Sequence, residues 1–341
     1  MGAAPDPVTA EASTADLLVA DLLVVGELCV DLIIPLESDI RFGQHEQLVP
    51  ATTLTMGSSS AITACGAAAL GTRTALMSVR GDDTFGWFLD AELQRLGVGT
   101  RLVRVDGSAP TGVSTHLTRP DGDRAILTSL GSIGRVTAAD ASDDILRSAR
   151  HLHIGSYFLQ TDLWPDARSL FARAHALGLT TSLDGNFDPE EEWDRGVLDA
   201  LAEVDVFFGN DQELCGIAGT ADADAAVRSL LEIMPRGGVV VRKLGSEGAE
   251  ASSLADEGRQ TFAVGIPEVA GTLVDTVGAG DTLAAGFIAA RLRGLPVADS
   301  LAVAVSCGSA STRGAGGTGA QPDWATARTL AAALRVARNG E

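Results

Sequence analysis

The chain has 341 residues, of which 45% are hydrophobic, and its formal net charge at pH 7 is −20. This length and composition suffice for a large buried core and exclude disorder of the chain as a whole. The acidic balance argues against sequence-independent nucleic-acid binding, which depends on clustered Lys and Arg. An anionic nucleotide substrate would need local backbone dipoles, a metal ion or a few Arg residues to hold it.

Lysine occurs once in the chain, as Lys243, and is followed by Leu244 and Gly245. A Walker-type phosphate loop requires Gly-Lys-Ser/Thr and is therefore excluded. A protein kinase is excluded as well, because Lys243 lies too near the C-terminus and the sequence has no His-Arg-Asp run.

The four cysteines form no Cys-x-x-Cys pair and the five histidines show no ligand spacing, so buried free thiols are expected in place of a zinc site. Residues 1–21 lack the basic and apolar regions of a secretory signal and are predicted to be a disordered tail. The apolar runs are too short to cross a bilayer. These features predict a cytoplasmic enzyme with no nucleic-acid or membrane partner.

From residue 22 onward, short β-rich runs alternate with Ala- and Leu-rich segments of helical periodicity. This alternation is typical of an α/β fold with a mostly parallel central sheet and helices on both faces. The predicted strands are 22–25, 75–79, 151–154, 204–208 and 239–241, and the predicted helices are 62–70, 85–96, 163–177 and 223–233.

Two stretches, 30–56 and 101–130, interrupt the alternation. In the second, β-rich runs at 114–118 and 124–127 flank the turn Pro120-Asp121-Gly122, which predicts a β-hairpin. We expect the two stretches to form a small β-sheet that acts as a lid over a cleft. The main domain is then 22–330, and 331–341 holds the end of the last helix and a tail.

Residues 275–281 read Asp-Thr-Val-Gly-Ala-Gly-Asp and precede a predicted helix. The backbone N–H groups of Gly278, Ala279 and Gly280 are predicted to lie unpaired at its N-terminus, where the helix dipole favours negative charge. Asp281 can then accept a proton from an attacking hydroxyl while this anion hole stabilises a transferred phosphoryl group. The local motif leaves open that Asp281 only caps the helix.

The run Asp-Thr-Val-Gly-Ala-Gly-Asp-Thr resembles the C-terminal signature of the ribokinase (PfkB) family of carbohydrate kinases. The resemblance implies a ribokinase-like fold and ATP-dependent phosphorylation of a sugar hydroxyl, with Asp281 as the general base. Further segments resemble family motifs in the expected order across 24–322: the first strand end at 26–31, the Gly-Gly signature at 57–62, the Gly-x-Asp-x-x-Gly turn at 81–86, Asn-x-x-Glu at 210–213 and the nucleotide-contacting strand end at 244–248.

The resemblance also implies roles for particular residues. Asp31, Gly57, Ser58 and Ile62 would line the substrate pocket. Asn210, Glu213, Lys243, Gly245 and Gly248 would lie on the nucleotide side, with Glu213 holding Mg²⁺ through water. Asp275 and the carbonyl of Val277 resemble a monovalent-cation site that takes K⁺ in some relatives, and lid-mediated dimers in relatives imply a homodimer.

Each implied role has a simpler alternative. Asp31 can merely end a strand, Asn210 and Glu213 can form a helix cap, and the glycines can form tight turns. Lys243 stands where the family often has Thr, and it can simply be a lysine exposed to solvent at the end of a strand.

The sequence departs from the family at the acceptor pocket. Ser58 replaces the second Gly of the Gly-Gly pair, and Ile62 replaces an Asn that binds a sugar hydroxyl. Asp188 stands where many relatives have an Arg that favours phosphorylated sugars. We therefore expect a sugar kinase of altered acceptor preference, and we keep two alternatives: a nucleoside kinase of the same family, and a sugar-binding sensor that has lost catalysis.

Overall fold

The computed structural model describes residues 20–120, 123–255 and 258–338. The strands are β1 (Leu22–Val25), β2 (Cys29–Pro35), β3 (Thr53–Met56), β4 (Thr74–Gly81), β5 (Gly99–Asp106), β6 (Gly112–Thr118), β7 (Arg124–Ser129), β8 (His151–Ile154), β9 (Thr180–Asp184), β10 (Val206–Asn210), β11 (Val239–Lys243), β12 (Ala249–Ala255), β13 (Gly258–Val264) and β14 (Val336–Arg338). The helices are α1 (Ser59–Ala69), α2 (Thr84–Arg95), α3 (Asp143–Arg147), α4 (Ala167–Ala176), α5 (Val197–Leu201), α6 (Asp211–Ala218), α7 (Ala223–Ile233), α8 (Ala279–Leu292), α9 (Val297–Ser311) and α10 (Trp324–Ala332).

A large sheet of ten strands has the order β14-β13-β12-β11-β10-β9-β8-β1-β4-β5. The strands from β11 to β5 pair in parallel, and β12, β13 and β14 extend the sheet antiparallel at one edge. The mostly parallel α/β fold predicted from the alternation is confirmed. None of the described helices is long and apolar enough to span a membrane.

Alternating side chains place a hydrophobic core on each face of the sheet, as the period of two in a strand requires. In β1, Leu23 and Val25 join the core that packs against α4, α6 and α7. Leu22 and Val24 point to the opposite core, against α1, α8 and α9. The continuous apolar run of β1 is therefore explained by burial on both faces.

Polar residues end three neighbouring parallel strands at the same edge of the sheet. Asp184 is the last residue of β9, Asn210 of β10 and Lys243 of β11. The pairing register aligns Asn210 with Lys243 directly. Ligands bind outside the carboxyl ends of strands in open α/β sheets, so this edge is where the fold presents a site.

A second, four-stranded sheet has the order β3-β2-β6-β7 and corresponds to the predicted lid. Its hairpin of β6 and β7 is antiparallel as predicted, although the turn residues Asp121 and Gly122 lie outside the described residues. The predicted boundary at 101 is wrong, because β5 pairs with β4 in the large sheet. β5 follows α2 and packs against the two cores through Leu102 and Val103. A β-rich run alone does not reveal which sheet its strand joins.

The predicted ends of the domain also differ from the structure. Ala20 is buried and Asp21 forms an ion pair with Arg73 at 2.9 Å, so these two residues belong to the domain. At the other end, β14 pairs with β13, where only a helix end and a tail were predicted. The rest of the predicted tails, 1–19 and 339–341, lies outside the described residues. Three-residue strands such as β14 form through tertiary pairing and leave little sequence signal.

Candidate active site

The N-terminus of α8 is shaped by glycine. Gly278 precedes the helix with φ of 73°, a left-handed conformation that favours glycine. A Cβ on Gly278 would also lie 2.6 Å from the Cα of Gly317, so the two backbones could not approach as they do. The helix then begins at Ala279, and Asp281 is its third residue.

One donor of the predicted anion hole is already paired. The Ala279 N–H donates to the carbonyl of Thr276 at 3.3 Å, so the prediction that all three N–H groups are free is wrong for this residue. The distance exceeds the usual 2.9–3.0 Å of an N–H···O bond. A bond of this length would cost little to exchange for a stronger one to an anion.

Asp281 is buried and bonded to α1. Ser59 Oγ donates to Asp281 Oδ1 at 2.6 Å, and Thr63 Oγ1 donates to the Asp281 carbonyl at 3.2 Å. Burial raises the pKa of the Asp281 carboxyl, Ser59 and Lys243 oppose the rise, and nearby Glu27 adds to it. A carboxylate with raised proton affinity is better suited to take a proton near neutral pH than an exposed one.

Ser59 and Asn186 contact one another beside Asp281, and neither was singled out from the sequence. Ser59 Oγ lies 3.2 Å from Asn186 Oδ1, which also accepts from the Ser156 N–H at 3.2 Å. Ser59 lies within the run 57–62 that resembles a family motif, and Asn186 lies two residues before Asp188. The sequence around these two residues does not indicate which side chains turn toward Asp281.

Lys243 is paired with a buried carboxylate at the centre of the site. Its Nζ lies 3.0 Å from both oxygens of Asp184 and 3.6 Å from Glu213 Oε2. Burial alone would lower the pKa of Lys243, but Asp184 and Glu213 outweigh it and the net shift is upward. Burial raises the pKa of Asp184, and Lys243 opposes this. The ammonium is therefore a fixed positive charge. Because the Lys243 side chain is largely buried, the alternative of a solvated lysine at a strand end is ruled out.

Asn210 and Glu213 form a complete capping box at the start of α6. Asn210 Oδ1 accepts from the Glu213 N–H at 3.0 Å, and Glu213 Oε2 accepts from the Asn210 N–H at 2.8 Å. The simpler interpretation of this pair therefore holds. It does not exclude a second role, because carboxylate oxygens have further lone pairs.

Asp31 lies in the lid sheet, pressed against Gly57. A Cβ on Gly57 would overlap Asp31 Oδ1, so only glycine fits. His116 of the neighbouring strand β6 places Nε2 3.3 Å from Asp31 Oδ2. The predicted substrate residues Asp31 and Gly57 are thus in direct contact, and His116 is a neighbour that the sequence did not indicate.

The side chains at the two substituted family positions make contacts within the main domain. Ser58 adopts φ of 73°, donates to the Glu27 carbonyl at 2.6 Å and accepts from the Ala61 N–H at 3.0 Å as the cap of α1. Ile62 is buried against Gly278 and Gly317. Both side chains therefore have structural roles in the main domain.

Asp188 also acts within its own loop. Its Oδ1 accepts from the Glu190 N–H at 3.0 Å, and its Oδ2 accepts from the Trp193 N–H at 2.7 Å. The side chain is buried. The carboxylate that replaces the family Arg therefore shapes a turn and is satisfied by backbone donors.

The two glycines after β11 differ in surroundings. Gly245 has φ of 58°, and a Cβ added there would meet no atom within 4 Å, so its face is open. Gly248 has φ of 98°, and a Cβ there would overlap the Val264 carbonyl. Gly245 thus allows the close approach of a ligand, whereas Gly248 is required by the packing of β12 against β13.

Asp275 ties the signature run to the later glycine-rich loop. Its Oδ1 accepts from the Val277 N–H and its Oδ2 from the Gly316 N–H, each at 3.0 Å. Both oxygens are therefore engaged by backbone. Among the residues that the structure describes, no cluster of three or more His, Cys, Asp or Glu is arranged to hold a metal ion directly.

Comparison with known proteins assigns the chain to a family. The model for the pfkB family carbohydrate kinases matches residues 19–324. An ATP-dependent ribose-1-phosphate kinase of Halopiger xanaduensis is 34% identical over 82% of this chain and 86% of its own length. A nucleoside kinase of Methanothermobacter thermautotrophicus is 30% identical over 80% of this chain and 83% of its own length.

A solved structure has the same architecture. A putative ribokinase II from E. coli, in complex with ATP and Mg²⁺, has a TM-score of 0.77 at 21% identity, covering 91% of this chain and 98% of that chain. The fold is therefore ribokinase-like. The chain belongs to the pfkB family of carbohydrate kinases, as its motifs predicted. It is a sugar or nucleoside kinase, and the alternative of a sensor without catalysis is set aside.

The variant Asp281→Asn should unfold at pH 8 with a free energy equal to or above that of the wild type. Because the pKa of Asp281 is raised in the folded state, that state holds the proton more tightly than the unfolded chain. The wild type therefore loses stability as the pH rises from the ordinary carboxyl range through the folded pKa. Asn removes this loss, and urea unfolding at pH 5 and pH 8 measures it.

Asp299→Asn is the matched control, because Asp299 is the exposed third residue of α9, as Asp281 is of α8. A carboxylate in a helix first turn contributes about 0.3–1 kcal/mol. If Asp281→Asn and Asp299→Asn lose the same stability at pH 8, Asp281 is only a cap.

Proposed function

We propose that the protein transfers the γ-phosphoryl group of ATP to a hydroxyl of a small sugar, with Asp281 as the general base. The observation that carries this proposal is the position of Asp281. Its carboxylate is buried, has raised proton affinity and immediately follows the glycine-bounded N-terminus of α8. A base and an anion hole side by side are what in-line phosphoryl transfer requires.

In this mechanism the acceptor hydroxyl gives its proton to Asp281 as its oxygen attacks the γ-phosphorus. The new O–P bond forms while the bond from the γ-phosphorus to the β–γ bridging oxygen breaks, and ADP leaves. The N–H groups of Gly278, Ala279 and Gly280 stabilise the charge on the transferred group. Asp31 binds acceptor hydroxyls from the lid, which excludes water and so limits ATP hydrolysis.

The nucleotide is proposed to bind along the carboxyl ends of β10 and β11. Gly245 supplies an open face, and Lys243, Asn210, Glu213 and Gly248 line the same edge. Mg²⁺ fits this set through water, because the Glu213 oxygens already accept bonds within the capping box and keep free lone pairs. When bound, Mg²⁺ neutralises phosphate charge.

A monovalent cation such as K⁺ stays a prediction for the loop formed by 275–277 and 314–319. Asp275 and the carbonyl of Val277 would be its ligands, since each Asp275 oxygen accepts one backbone N–H and has a further lone pair.

A nucleoside is the second candidate acceptor. Phe187 follows Asn186 directly, is 44% exposed and contacts the Trp193 ring edge-to-face with centroids 5.4 Å apart. An exposed aromatic ring next to the site can stack on a nucleobase. The 30% identity to a nucleoside kinase supports the same candidate.

The wild type should release ADP from MgATP in the presence of a sugar or nucleoside, and Asp281→Asn should lower kcat by about 10²-fold or more, since general bases contribute about 10²–10⁴-fold. A coupled assay over pentoses, hexoses, keto-deoxy acids and nucleosides measures this and separates the two acceptor classes. Asp299→Asn should keep wild-type turnover. An Asp281→Asn variant with full activity would remove Asp281 from the mechanism.

The lid is also proposed to mediate a homodimer. Every residue of β7 is exposed, and in the described part of the chain β7 pairs only with β6. Large apolar side chains of the lid are exposed, including Leu127 of β7 and Phe42 in the β2–β3 connection. An unpaired edge strand with exposed apolar side chains is a template for association.

Light scattering should therefore give the mass of a dimer for the wild type and of a monomer for Leu127→Glu, because a buried unpaired carboxylate is unfavourable at an interface. Leu198→Glu, at an exposed leucine of α5 outside the lid, should stay dimeric. A monomeric wild type, or a dimeric Leu127→Glu, would contradict the lid interface.

A further inference from the structure

The only lysine of the chain lies inside the candidate active site. Lys243 ends β11, and its side chain is 13% exposed. Three carboxylates act on its charge, those of Asp184, Glu213 and Asp281. A buried ammonium among carboxylates keeps its proton, so it contributes one full positive charge to a site that is otherwise acidic.

The hydrogen bonds of Lys243 leave one donor available. A lysine ammonium has three N–H donors. Asp184 engages two of them, with both oxygens 3.0 Å from Nζ. Glu213 Oε2 at 3.6 Å is beyond hydrogen-bond distance, and Nζ has no third acceptor among the described residues.

The Lys243 side chain lies beside the anion hole. A Cβ added to Gly280 would be 3.4 Å from Lys243 Cδ and 3.7 Å from Nζ. Gly280 is the middle residue between Ala279 and Asp281, and its N–H is part of the hole. An anionic group bound by the start of α8 is therefore within reach of the ammonium.

We propose that Lys243 is a catalytic residue that donates its third N–H to the transferred phosphoryl group. The inference rests on the proposed ATP-dependent transfer. The ammonium keeps its proton throughout, because the acceptor proton goes to Asp281 and the bridging oxygen leaves on ADP. Lys243 thereby offsets charge on the phosphoryl oxygens while Asp184 holds it in place.

A purely structural ion pair is the competing explanation. Removing one partner of a buried ion pair leaves the other charge buried and uncompensated, which is destabilising. A purely structural pair would make Lys243 variants less stable without a specific effect on kcat. The catalytic role instead predicts a lower kcat in a folded variant, because charge on the phosphoryl oxygens is stabilised in the transition state.

The test compares Lys243→Met with Arg242→Met at saturating MgATP and acceptor. Arg242 is the adjacent cation of β11, and it pairs with Asp211 at 2.6 Å and Glu250 at 3.1 Å, away from Asp184. Lys243→Met should lower kcat by about 10²-fold or more while the KM for ATP changes far less. Arg242→Met should keep kcat within about threefold.

If the Lys243→Met variant does not fold, a second measurement on the wild type tests the same role. Wild-type protein made with ¹⁵N-lysine should give a single side-chain ammonium signal by NMR, since the chain has one lysine. Adding MgADP with aluminium fluoride, which mimics the transferred group, should shift this signal beyond the shift with MgADP alone. An equal response to both would overturn the inference.

The outcomes separate the two proposals. A wild type without ATP turnover across the acceptor panel contradicts the proposed function itself. A wild type that turns over while Lys243→Met, folded by circular dichroism, keeps kcat within about threefold contradicts only the role of Lys243.

Discussion

Gly278 and Gly317 approach so closely that no side chain fits between their backbones. This contact fixes where α8 begins and therefore where Asp281 lies. Ile62 of α1 packs against the same two glycines, so α1 and α8 are held together at their N-terminal ends. The hydrogen bond from Ser59 to Asp281 follows from that arrangement. The position of the proposed base thus depends on the absence of two Cβ atoms.

Charge distribution imposes a second constraint. Asp184, Glu213 and Asp281 are all buried near one ammonium, that of Lys243, and buried Glu27 acts on the charge of Asp281. Such a site resists the entry of a nucleotide unless cations accompany it. In the proposed mechanism, backbone dipoles, hydrated Mg²⁺ and the single lysine would together supply the compensation that the protein's overall negative charge cannot.

The sequence predicted the main features of the fold because they rest on local signals. Two-sided burial makes β1 a continuous apolar run, and helix periodicity located α7 at its observed bounds. It failed at β5 and β14, whose sheet membership depends on distant partners. Glycines of the site were recognisable, but the contacts of Ser59, His116 and Lys243 were not, because they join segments far apart in the chain. Asp188 shows the limit of motif comparison: a substituted position was interpreted as pocket chemistry, yet its carboxylate bonds to its own loop.

The connection between the two sheets has a consequence for how such an enzyme can diversify. Residues 26–28 join β1 to β2 and are entirely buried, and Gly26 is pressed against Ser60. Glu27 in the middle accepts hydrogen bonds from Ser60 and Gln160. Substitutions at this junction would disturb the lid and the proposed base Asp281 together, so we expect them to be poorly tolerated. The outer strand β7 is exposed along its whole length, and among the described strands it pairs only with β6. It is therefore free to acquire new partners while the chemistry is inherited unchanged.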